Sequence, residues 1–212
     1  MLEITDGMLT ELRKTVLGEM SPKRFRHTLA VEEMVARLCE LFCPEETGHL
    51  RAAALLHDLT KEKKTEEQQE LCRVHGLSVT DEDLLAPKTF HARTAAARIG
   101  RDFPAYADPT VVNAVRWHTT GHRGMTLTEK LLYLADYIDD SRSFENCVIL
   151  RRYFWGADPK SMTEAERERL LCDTLLLSYD MTIRDLIAEG APVAIDTVEA
   201  RNELLAERAK RT

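Results

Sequence analysis

The chain has 212 residues, of which 44% are hydrophobic and 31% charged, with a formal net charge of −7. This length suits one good core, or a core with a small appendage, and the balance excludes a disordered or membrane chain, while the acidic excess argues against nonspecific nucleic-acid binding, which needs a basic footprint. The longest apolar run, residues 52–56, is far too short to cross a bilayer, and the acid-bearing start of the chain has no signal-peptide pattern, so a cytoplasmic location is expected.

Almost every segment reads as helix. Leu9, Leu12, Val16 and Leu17 recur at helical spacing before Gly18. Ser21 and Pro22 then supply an N-cap and a first-turn proline, and Val31, Met34, Val35, Leu38, Leu41 and Phe42 form the apolar face of a second helix. Residues 49–60 are apolar nearly all round, as in a buried central helix. Thr65 with Gln68 fits a capping box for a helix closed by Gly76, and an Ala-rich helix from His91 is expected to stop at Gly100. Asp108-Pro109 opens a helix running to Gly121, and Thr126 with Glu129 caps the next, through Ile138. Residues 141–160 are the least regular, read as a packed loop or part of a substrate wall. Ser161 with Glu164 starts a long helix ending at Gly190, and Asp196 with Glu199 starts a last, polar one. No run alternates as a half-buried strand does. The expectation is an all-α helical bundle forming a single domain over 1–212, with a core at about 21–142 and C-terminal helices from 161–212 packed on it. Five cysteines (Cys39, Cys43, Cys72, Cys147, Cys172) form no CxxC pair and read as reduced thiols.

The chemistry lies in polar residues on apolar helices. His57-Asp58 falls within AAALLHDLTK, the most apolar stretch of the chain. Burying both groups costs on the order of several kcal/mol unless each finds a partner. Alone, such a dipeptide reads as a hydrogen-bonded core pair. Asp136 in LLYLADYID, His27 in KRFRHTLAV and His118 after VVNAVRW change that, because four helices then each aim a metal-type ligand inward. A mixed nitrogen and oxygen set without sulfur suits iron, manganese, cobalt or zinc in an open site rather than a structural zinc. Arg24, three residues before His27, shares its helix face, and its planar fork suits phosphate. His91 opens one helix and His118 closes another, so each could hold a second metal or donate to phosphate. His49, His75 and His122 have no such setting.

His27, then His57-Asp58, then Asp136 is the H…HD…D signature, and in it the chain resembles the HD superfamily of metal-dependent phosphohydrolases. The likeness extends to the YqeK-type symmetrical diadenosine tetraphosphate hydrolases. It is carried by SPKRFRHTLAV (21–31), ALLHDLTK (54–61), VRWHTTGHRGMTLTEKLLYLADYIDDSR (115–142), SYDMTIRDLI (178–187) and IDTVEARNELL (195–205), and it is weakest over 143–177. The resemblance implies a divalent metal, commonly iron, on His27, His57, Asp58 and Asp136, with one ion per chain favoured over two. It implies phosphate or nucleotide contacts from Arg24, Asp58, His91, His118, Thr119, Asp136, Arg142 and Thr182; the chain reads Met181-Thr182 where the family has Asn-Thr. Lys61 completes the family's HD-x-x-K pattern. Asp58, Lys61, His91 and His118 would then take part in hydrolysis by a metal-activated water, Asp58 orienting that water and the others offsetting charge. A nucleotide is the expected partner, with no nucleic acid and no membrane, and a homodimer is compatible with this reading. Two rivals stand beside it: an HD nucleotidase or cyclic-nucleotide phosphodiesterase, and a non-catalytic nucleotide-binding HD domain.

Overall fold

The structure is a computed structural model and describes residues 3–210. Among the described residues there are eleven α-helices, three short 3-10 turns and no strand. They are α1 (Asp6–Leu17), α2 (Pro22–Phe42), α3 (Thr47–Leu56), α4 (Thr65–Val74), α5 (Asp81–Leu85), α6 (Phe90–Asp102), α7 (Pro109–Trp117), α8 (Leu127–Ile138), α9 (Glu145–Gly156), α10 (Glu164–Ala188) and α11 (Ile195–Lys210). The expected all-α class is what the chain adopts. No helix among the described residues is long and apolar enough to cross a membrane.

The centre is α3, where Leu50, Ala52, Ala53, Ala54, Leu55 and Leu56 are fully buried, as the all-round apolar pattern predicts. Three successive alanines let neighbouring helices approach closely, and α2 and α7 pack on α3 from two sides, with α8 bridging them. One hydrophobic cluster runs from Ile4 to Leu204, joining α10 and α11 to this core through α8 and α9. All five cysteines are buried free thiols.

Several boundaries differ from the sequence expectation, each for a physical reason. The central helix stops at Leu56 rather than at Thr60, and α7 stops at Trp117 rather than running to Gly121. In each case the next residue is a histidine whose Nδ1 reaches the carbonyl three residues back, Ala54 for His57 (2.6 Å) and Val115 for His118 (2.7 Å). That side chain competes for the acceptor the next helical turn would use. Conversely, α6 runs through Gly100 to Asp102, because Gly100 does not adopt the left-handed conformation that ends helices. Two capping frames shift: Lys64 N donates to Glu67 (2.9 Å) at the start of α4, and Thr163 pairs with Glu166 at the start of α10. Glu67 and Glu166 supply the carboxylate of each cap, leaving Gln68 for the core. Helix α5 has no counterpart among the helices the sequence predicts. The irregular stretch 141–160 contains a full helix, α9, whose inward face is Cys147, Leu150 and Phe154 at spacings of three and four.

Candidate metal centre

Three imidazoles are locked in the same way. Nδ1 of His57, His91 and His118 lies 2.6, 2.8 and 2.7 Å from the carbonyl of Ala54, Lys88 and Val115, in each case three residues earlier. Donation to those carbonyls fixes the Nδ1–H tautomer and turns each Nε2 lone pair inward. A buried polar cluster holds the His91 helix against the turn after His57: Thr60 Oγ1 donates to His91 O (3.0 Å) and meets Thr94 Oγ1 (2.7 Å), which bonds Gln68 Oε1 (2.6 Å).

Asp58 stands between two groups of nitrogens. Its Oδ2 lies 3.4 Å from His57 Nε2, 3.8 Å from His27 Nε2 and 2.6 Å from Arg24 Nη1. Its Oδ1 lies 3.4 Å from His91 Nε2 and 3.8 Å from His118 Nε2. Asp136 Oδ1 approaches His27 Nε2 (2.9 Å), His57 Nε2 (3.8 Å) and Arg142 Nη2 (2.5 Å). Ligand atoms of His27, His57 and Asp136, and again of His57, Asp58 and His118, fall within 4.8 Å of one another.

This donor set fits a divalent cation. Nε2 of both His27 and His57 is buried without a hydrogen bond, although His27 Nε2 sits 2.9 Å from a carboxylate oxygen. Close approach without hydrogen-bond alignment is how two ligands of a common ion meet, and an unsatisfied buried polar atom otherwise costs about 1–3 kcal/mol. Burial opposes ionisation of Asp58 and Asp136, yet the imidazoles around Asp58, and Arg142 with the imidazoles around Asp136, hold both carboxyls well below their usual range. Burial opposes the charged form of His27 too, but the carboxylates of Asp136 and Asp139 outweigh it and raise that imidazole to about 9. Burial pushes His91 and His118 down, so both rings are neutral. Their Nε2 atoms are 3.1 Å apart with both Nδ1 atoms committed to carbonyls, so two lone pairs face each other. Lys61 Nζ (3.2 Å from His91 Nε2) and Thr119 Oγ1 (3.1 and 3.2 Å from the two Nε2 atoms) are the donors at hand.

The fold thus brings Arg24, His27, His57, Asp58, Lys61, His91, His118, Thr119, Asp136 and Arg142 to one place. Thr182 lies on α10, its hydroxyl engaged at 2.6 Å with the Oη of Tyr137, the residue after Asp136. His49 pairs with Glu46, and His122 with Glu129, away from the cluster. Sequence reasoning missed Asp139, which is fully buried with Oδ2 lying 3.4 Å from His27 Nδ1 and 3.4 Å from Arg142 Nε. A second carboxylate behind a ligating histidine orients the ring and raises its basicity. Its signal was its spacing, three residues after Asp136 at the end of the same helix. Arg151 was missed as well; it donates from α9 to the carbonyls of Ile138, Asp139 and Arg142, fixing the turn that carries Asp139 and Arg142.

A family model described as HD domain matches residues 24–140. The chain is similar to two proteins named bis(5'-nucleosyl)-tetraphosphatase, symmetrical. The one from Halalkalibacterium halodurans is 30% identical, over 91% of this chain and 95% of that protein. The one from Staphylococcus aureus is 30% identical, over 83% and 89% respectively. Among solved structures it is similar to a predicted HD superfamily hydrolase involved in NAD metabolism from Clostridium acetobutylicum, with a TM-score of 0.79 and 30% identity, over 93% of this chain and 97% of that one.

Proposed function

The chain belongs to the HD-domain family of metal-dependent phosphohydrolases, among its symmetrical bis(5'-nucleosyl)-tetraphosphatases, and from that premise we propose that it hydrolyses diadenosine tetraphosphate to two ADP. The observation that carries the reading is Asp58, whose two oxygens face inward-turned histidine lone pairs on either side while a guanidinium stands 2.6 Å away. Cation ligands and phosphate-type donors meet at one carboxylate, as hydrolysis of a polyphosphate requires.

In this reading His27, His57, Asp58 and Asp136 hold the metal; the nitrogen and oxygen set suits iron, manganese, cobalt or zinc, and the family resemblance favours iron. When bound, a divalent cation supplies Lewis acidity, lowering the pKa of a water and screening phosphate charge. The chain's own groups do the rest. Asp58 orients the attacking water. Arg24 and Arg142, each already beside one of the two carboxylates, offer N–H groups to phosphate oxygens. Lys61, His91, His118 and Thr119 face the diphosphate that leaves when the central P–O bond breaks. The continuous core from α1 to α11 supports taking the chain as one functional unit.

The test is product analysis on a nucleotide panel. Diadenosine tetraphosphate should yield ADP alone, whereas a nucleotidase would release nucleoside and phosphate, and a cyclic-nucleotide phosphodiesterase would open cyclic AMP. A purely nucleotide-binding domain would turn over none of them. In the same assay Arg24→Ala and Arg142→Ala should lower kcat/KM by roughly tenfold to a hundredfold with metal content retained, the loss of a charge-assisted hydrogen bond.

A second reading is favoured by the 3.1 Å contact between two neutral imidazole nitrogens, His91 Nε2 and His118 Nε2. A second ion there, with Asp58 as the bridge, would satisfy both lone pairs. Metal analysis separates the readings. One ion per wild-type chain, unchanged in His118→Ala, supports the single-metal site, and two ions falling to one support the second.

A further inference from the structure

Two basic clefts each include a side chain that reaches Asp58. The first, of about 550 Å3, is lined by Lys23, Arg24, Arg26 and Arg142, with Phe144 at its edge. The second, of about 360 Å3, is lined by Lys61, Lys63, Lys88 and His91. Both fall in the size range of small-ligand sites, roughly 300–1,000 Å3. The carboxylate of Asp58 addresses both: Oδ2 pairs with Arg24 of the first cleft, and Oδ1 faces His91 of the second. The one carboxylate lining either cleft, Glu62 in the first, is engaged by Ser21 N (2.8 Å) and Oγ (2.6 Å). In a chain of net charge −7, seven Lys and Arg side chains therefore converge on these two clefts. Phe144 is 71% exposed, the most exposed aromatic among the described large hydrophobics, and it sits beside Arg142 where no core covers it. An uncovered ring next to phosphate-type cations is suited to stacking on a base.

We propose that the dinucleotide lies across Asp58 with one nucleoside diphosphate half in each cleft. Phe144 stacks on the base of the first half, and Lys63 and Lys88 hold the phosphates of the second. The inference rests on the tetraphosphatase reading and adds to it the placement of both halves. A chain of four phosphates centred on Asp58 meets cations in both directions, so the central bond is presented for cleavage, and the product is the same diphosphate from either side.

The experiment compares wild type with Phe144→Ala, with Lys23→Ala plus Arg26→Ala, and with Lys63→Ala plus Lys88→Ala. All five positions are exposed, so the variants should fold, which circular dichroism checks. Each variant is assayed for its KM toward diadenosine tetraphosphate and for its inhibition by inorganic tetraphosphate, which has no base. Phe144→Ala should raise KM by roughly fivefold to a hundredfold, the loss of one stacked base, with the tetraphosphate inhibition constant unchanged. Each double variant should raise both constants by roughly threefold or more and flatten the salt dependence of KM, since an exposed cation acts through a screened field. An unchanged KM in either double variant, in an enzyme that makes ADP, overturns the two-cleft placement alone. A tetraphosphate inhibition constant that rises with KM in Phe144→Ala overturns the stacking role. A wild-type protein that makes no ADP removes the underlying reading and this inference with it.

Discussion

Asp58→Asn is expected to leave a folded protein with little bound metal and a turnover lowered on the order of a thousandfold. The amide keeps the shape of the carboxylate and loses its charge, in a place where four imidazoles and a guanidinium are gathered around two oxygens. A cation there depends on anionic ligands to offset its own charge. With one gone, the several kcal/mol of transition-state stabilisation that a bound metal provides disappear, which sets the size of the rate loss. Asp136→Ala should act in the same direction, because Asp136 Oδ1 is the oxygen nearest His27 Nε2, at 2.9 Å. The competing account is that Asp58 is a buried ion-pair partner of Arg24. Breaking such a pair costs about 3–5 kcal/mol of stability, with no requirement on metal. The two accounts part cleanly under elemental analysis and thermal melting. An Asp58→Asn protein with full metal content, wild-type rates and a lowered melting temperature would establish the ion pair and remove Asp58 from the ligand set.

How far the sequence carried this picture depends on the kind of interaction. Groups that are wrong for their surroundings were legible, because a histidine or aspartate on an apolar helix announces a partner before the partner is known. That logic located His27, His57, Asp58, His118 and Asp136, and the fold places all five together. What stayed hidden were contacts made by residues that look ordinary where they stand. Arg151 reads as a surface cation, yet from α9 it closes the end of α8 by binding the carbonyls of Ile138, Asp139 and Arg142. Asp139 reads as one of two acids at a helix end, and only the crossing of α2 over α8 puts it behind His27. The helix ends at Leu56 and Trp117 were misplaced because apolar periodicity says nothing of an imidazole taking a carbonyl from the backbone. Helix α9 went unseen because its arginines and the exposed Tyr153 obscured the Cys147, Leu150 and Phe154 face. The two basic clefts lie still further from the linear pattern, since each gathers cations from segments that are remote in sequence.

Gly121→Ala should lower the melting temperature by about 4–20 °C, a consequence of the turn that carries His118 and Thr119. Gly121 has φ +62°, in the left-handed region that a side chain adopts at a cost of about 1–2 kcal/mol. An added Cβ would also fall 1.9 Å from Tyr179 Oη and 2.9 Å from Met125 Sδ. Tyr179 cannot step aside, because it is fully buried and its ring stacks on Tyr133 at 4.7 Å between centroids. Forcing a methyl into such packing costs roughly a further 1–3 kcal/mol. In a chain of this size each kcal/mol is worth about 2–4 °C, which gives the expected range. Removing the Tyr179 hydroxyl takes away the nearest atom and leaves the backbone strain. Gly121→Ala should therefore cost less in a Tyr179→Phe background than in wild type, a coupling that a double-mutant cycle reads directly. Gly100→Ala is the counterpart, since that glycine lies within α6 with open space around its missing Cβ. It should raise stability by about 0.5–1 kcal/mol, the difference between glycine and alanine inside a helix. If Gly121→Ala melts within a degree or two of wild type, the close approach of Tyr179 to the His118 turn is wrong, and the turn has room that the packing denies.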